Sequence, residues 1–195
     1  MNTAMIKKNL RQFDPEEIAR FDCEMWQAYY KHKFVKLFFI LFRLARKMHS
    51  QFGFSYFRIL RATYNLVLSA MDFRLNKGKE SKHRILKKLE KAFWLLSNGT
   101  IEKFDYKRAA ELELEWWLID RYPARYTMTR EEGLALAMGT IYNIEPDKLK
   151  EYAHFRAKAM TLQDQAEVEK KEADWQEIES LLVKSFTSLH VAINK

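Results

Sequence analysis

Two carboxylates sit at positions where an amphipathic helix would be expected to carry apolar side chains. The stretch FDYKRAAELELEWWLIDRYP runs from Phe104 to Pro123. At about 100° per residue its apolar side chains cover most of a helix circumference. Glu111 and Glu115 fall in the remaining gap and are expected to be solvated. Glu113 and Asp120, seven apart, fall instead inside the apolar arc between Trp116 and Trp117. A carboxylate buried there unpaired costs several kcal/mol, so it must be paired, hydrogen-bonded or protonated. A second segment, Lys148 to about Lys170, places Arg156 at the centre of its apolar face, with Gln163 one heptad on and Asp164 at the edge. An arginine fork bonds a carboxylate bidentately, so Arg156 with Glu113 or Asp120 is the expected buried pair.

Facing helices build ligand sites from inward side chains of this kind. The expected site holds a small polar or anionic molecule. Arg156 would pair with the anion, Glu113 and Asp120 would orient or protonate it, and Gln163 would add neutral hydrogen bonds. Trp116 and Trp117 would form apolar walls. A structural ion pair, or a charge at the end of a bundle, accounts for the same residues without a ligand, and both readings stand.

A further anomaly lies near the N-terminus. From Ile18 to Tyr29 the apolar face is Ile18, Phe21, Met25, Ala28 and Tyr29, but from Phe34 onward that side carries Lys36, Arg43 and Lys47. His32 lies at the crossover. Either the helix kinks or breaks near Tyr30 to Lys33, or its halves pack on different partners. Alternatively His32 and Arg43 line a polar interior, joined by Glu24 at the margin of the early face.

Other chemistry leaves little trace. Two Glu-x-x-His matches, Glu80 to His83 and Glu151 to His154, have the spacing used by di-iron bundles. The first lies in a lysine-rich stretch and the second on the polar side opposite Arg156, so neither is expected to bind metal. One cysteine and five scattered histidines supply no zinc pattern. No phosphate loop, dinucleotide fingerprint or nucleophile elbow occurs. No cofactor is expected, and the residues leave open whether the chain is an enzyme.

The elements that must position these groups are helices. Gly and Pro total 8 of 195 residues, about 4% against roughly 12% on average, too few for sandwiches, barrels or dinucleotide folds. Asp14-Pro15-Glu16-Glu17 is an N-cap with proline at the first helical position, opening a run to about Ser50. Gly53 separates this from Ser55–Asn76, which Gly78 can terminate. Ser81 caps a third run ended by Ser97-Asn98-Gly99, and on the second run Arg58, Arg61, Asn65, Ser69 and Asp72 share an expected solvent side. Asp105 caps the fourth run, stopped at Tyr122-Pro123. Thr129-Arg130-Glu131-Glu132 is a capping box, Pro146-Asp147 starts the sixth run, and a seventh spans about Ala173 to Ile193, either separate or continuous with the sixth through Lys171 and Glu172. The expectation is a single all-α domain over 1–195, an antiparallel bundle of six or seven helices with a flexible segment at 1–13.

Charge divides the chain unevenly. Residues 1–98 hold 20 Lys/Arg against 8 Asp/Glu, whereas residues 99–195 hold 14 against 18. The densest patch is Lys77, Lys79, Lys82, Arg84, Lys87, Lys88 and Lys91. It offers a surface for nucleic acid or an anionic membrane, although no helix-turn-helix or aromatic RNA-binding motif accompanies it. The apolar stretch Phe34–Ala45 is 12 residues long and carries Lys36 and Arg43, too short and too charged to span a bilayer. It reads as a buried helix, with a membrane-surface segment or the seam of a homo-oligomer as alternatives. With no signal-peptide pattern at Met1–Gln12, the expected setting is the cytoplasm.

Three motifs, AAELELEWWLIDRYP (109–123), EMWQAYY (24–30) and FRAKAMTLQD (155–164), together resemble a family of small, uncharacterised helical bacterial proteins. The resemblance implies a bacterial origin and a helical fold, and it carries no activity with it.

Overall fold

The computed structural model describes residues 10–48, 54–75 and 82–195, and it is all-helical. Eight α-helices are present among the described residues. They are α1 (Pro15–Tyr30), α2 (Phe34–Met48), α3 (Phe54–Leu75), α4 (Lys82–Ser97), α5 (Tyr106–Arg121), α6 (Arg130–Tyr142), α7 (Lys150–Glu169) and α8 (Trp175–Ile193). Short 3-10 turns at Pro123–Arg125 and Pro146–Leu149 precede α6 and α7.

The count exceeds the expected six or seven because the first run is two helices. The chain breaks at Lys31–Lys33, where His32 takes a left-handed conformation at φ 54° and its N–H returns to the Tyr29 carbonyl. The amphipathic face can therefore change sides between α1 and α2. Lys170, also left-handed at φ 54°, ends α7 and keeps it separate from α8.

The caps act as their sequences dictate. Asp14 accepts from the Glu16 and Glu17 amides and Asp105 from those of Lys107 and Arg108. Thr129 and Glu132 exchange both bonds of a capping box. The proposed boundaries at Gly53, Gly78 and Ser81 lie outside the described residues.

Each helix packs on the next in sequence, from α1 on α2 through to α7 on α8, and α8 packs back on α1. The eight helices thus form a closed ring of neighbours. Residues 10–13, expected to be flexible, help seal it. Leu10 is buried, Phe13 meets Phe186 edge-on, and Arg11 bonds the carbonyls of Tyr142 and Ile193 as well as Glu102. Asn65 and Ser69, expected on a solvent side, are buried. Their side chains are satisfied by carbonyls one turn back, at Arg61 (2.7 Å) and Asn65 (2.8 Å), so burial costs them no hydrogen bond.

Candidate ligand cavity

A partly open cavity of about 300 Å³ lies among six of the helices. Its walls come from α1 (Met25, Trp26, Tyr29, Tyr30), α2 (Leu37, Leu41, Leu44), α3 (Leu66, Ala70, Phe73), Phe93 of α4, α5, and Met160 of α7. The lining is mainly aromatic and aliphatic, and α5 contributes most of its polar groups: Glu113, Asp120 and Arg121 beside Trp116 and Trp117. Arg156 of α7 completes the polar set.

Glu113 is half-buried and stands in the cavity wall. One helical turn brings both following tryptophans onto it. Trp116 Nε1 donates to Oε2 at 2.9 Å and Trp117 Nε1 donates to Oε1 at 3.0 Å. Each oxygen keeps a further lone pair, since a carboxylate offers about four acceptor sites. Burial raises the Glu113 pKa, opposed first by the Trp116 bond and then by the Arg156 charge.

Arg156 does not pair with Glu113 or Asp120 as the sequence suggested. Its partner is Asp22 of α1, buried beside it, and Nη1 donates to Oδ2. The guanidinium also lies 5.3 Å over the Trp26 ring and 5.7 Å over Phe186. Burial works against the charged form, but Asp22 more than offsets it, so Arg156 stays protonated. Asp22 escaped the sequence reading although it lies four residues from both Ile18 and Trp26, within the apolar arc of α1.

Asp120 has its own cation. Arg130, the first residue of α6, reaches Asp120 at 2.8 Å and Asp164 at 2.7 Å, joining α5, α6 and α7. The contact to Asp120 Oδ1 lies off the hydrogen-bond direction, so it is electrostatic. Burial outweighs Arg130, and the Asp120 carboxyl is pushed up to about 6. That places it where a carboxyl can give or take a proton near neutral pH.

The other expected site residues lie elsewhere. Gln163 is buried but is not in the cavity wall, and its Oε1 has no hydrogen-bond partner. Its heptad spacing from Arg156 ignored the drift of a straight α-helix away from a seven-residue repeat. His32 and Arg43 do not line a polar interior. His32 is exposed and accepts from Arg74, and Arg43 is exposed with its guanidinium 5.1 Å over Phe21. The α1–α2 break turns both outward. Glu24 is half-buried and stands outside the cavity wall.

In the basic patch, Lys82, Arg84, Lys87 and Lys91 are exposed, whereas Lys88 and Arg84 pair with Asp72. Lys77 and Lys79 lie outside the described residues, as does Glu80. His83, Glu151 and His154 are exposed, and His154 contacts Glu131 at 3.1 Å. Among the described residues no cluster of three or more His, Cys, Asp or Glu could hold a metal ion.

Compared with protein-family models, with curated proteins and with solved structures, the chain matches none.

Proposed function

We propose that the chain is a small-molecule binding protein whose site is the cavity among these helices. The ligand is mostly apolar and presents a hydrogen-bond donor to Glu113. One observation carries this reading: a volume of about 300 Å³ walled by apolar side chains holds a carboxylate gripped by two indoles rather than by a cation. Sites for small molecules begin at about that size, with mainly apolar walls and a few convergent polar groups. A core needing only stability would fill the space, because close packing is the rule inside proteins.

An anion fits less well than the sequence suggested, because Arg156 is neutralised by Asp22. A neutral or cationic donor suits Glu113, and the Trp and Tyr rings favour a flat or cationic body. The one cysteine, Cys23, is a buried thiol pushed up to about 11 and so held in its unreactive form.

The test uses N-phenyl-1-naphthylamine, a neutral fluorophore with a single N–H donor, beside native mass spectrometry of the protein as purified. The expected result is saturable fluorescence at one probe per chain, lost in Ala70→Phe, which fills the cavity, and weakened in Glu113→Leu. A bare native mass together with no saturable binding would overturn the reading.

A further inference from the structure

The outer face of α2 combines exposed apolar side chains with basic ones. Its inward residues Leu37, Leu41 and Leu44 line the cavity, and its main packing partners are α1 and α3. On the outward stripe, at spacings of four, four and three, stand Val35, Phe39, Arg43 and Arg46. Val35 is 75% exposed and Phe39 is 59% exposed, and Lys36 flanks them. The neighbouring helix α3 repeats the pattern with Phe57 (71% exposed), Arg61 and Tyr64 (56% exposed). From Lys31 to Met71 the sequence contains no Asp or Glu and eight Lys/Arg.

We propose that this α2–α3 face docks on an anionic lipid bilayer, with Val35 and Phe39 entering the acyl boundary while the flanking basic groups meet the headgroups. Charge complementarity selects that occupant. A helix with exposed aliphatic and phenyl groups between lysines and arginines, and no acid, suits the interface of an anionic leaflet. A nucleic acid would use the charges but leave Val35 and Phe39 against a polar backbone. A second copy of this chain would set the exposed Lys36, Arg43, Arg46 and Arg61 against like charges of its partner. Among the described residues no helix is long and apolar enough to cross a membrane, so the helix lies on the surface.

The experiment is co-sedimentation of the full chain with phosphatidylcholine vesicles, with and without about 30% phosphatidylglycerol. Binding is expected only to the anionic vesicles, falling steeply with added salt. Val35→Ser with Phe39→Ser should weaken it by about tenfold or more while lowering the melting temperature only slightly, because both side chains are mostly in water. A Lys87→Glu/Lys91→Glu pair on α4 should have the smaller effect. Absence of binding to anionic vesicles overturns the proposal. So does binding that the α4 pair abolishes and the α2 pair leaves intact. Retention of single-stranded RNA without vesicle binding assigns the face to nucleic acid instead. Dimerisation without vesicle binding, abolished by the α2 pair, assigns it to a second copy. Each of these results is independent of the naphthylamine titration, so failure here leaves the cavity reading untouched.

Discussion

Glu113 and Asp120, half-buried, and Arg156, buried, are three charges with three different means of support. Glu113 is hydrogen-bonded by indoles, Asp120 faces an off-axis arginine, and Arg156 is locked to Asp22. Removing one partner of a buried pair strands the other, at a cost of roughly 3–5 kcal/mol. Arg156→Met should therefore lower the unfolding free energy by that much, read from urea denaturation, and adding Asp22→Asn should restore part of the loss. An Arg156→Met chain as stable as the parent would show that Asp22 is not desolvated. Asp120 gives a pH test. Its pKa is near 3.8 in the unfolded chain and about 6 in the fold, so the folded state binds the proton more tightly between those values. The stabilisation is present below about pH 4 and is lost as pH rises through 6, and the raised Glu113 carboxyl acts in the same direction. Asp120→Asn removes this dependence. Its stability relative to the parent should therefore improve from about pH 4 to about pH 7, by at most about 3 kcal/mol. A difference that stays flat with pH would refute the assignment. The inward acids and the tryptophan pair were legible because a carboxylate within an apolar arc departs from the helical pattern. Asp22 was equally displaced, but its neighbours Cys23 and Glu24 blur the same arc.

At the scale of elements, the ends of helices were the most legible feature, since Asp14, Asp105 and the Thr129–Glu132 box each satisfy amides within their own turn. The break between α1 and α2 was visible only as a change of apolar side. No Gly or Pro marks it, and His32 bears the left-handed conformation itself. One glycine has a tertiary reason that no local signal carried. A Cβ on Gly139 would lie 2.7 Å from the Ile144 carbonyl oxygen, so the turn out of α6 closes only over a bare Cα. Backbone cannot yield as a side-chain tip can. Gly139→Ala should cost about 1–3 kcal/mol, read as a lowered denaturation midpoint. An unchanged midpoint would mean that the Asn143–Pro146 turn is free to relax.

For the whole molecule, scarcity of Gly and Pro pointed correctly to an all-helical chain, yet periodicity could not say which helices touch. The ring of neighbours depends on which faces meet, and that is decided by side-chain fit across helices rather than along them. Its order has a consequence in time. From α2 onward every helix finds its preceding neighbour already made as the chain grows, but α1 must wait for α8 to cover its second side. Tyr30 and Trp175 lie about 145 residues apart, which at about 5–20 residues per second is a wait of roughly 7–30 s. Throughout that interval the flank of α1 that α8 will cover stands open in the growing chain, and the buried seam of the finished protein is, during synthesis, the surface most in need of a chaperone.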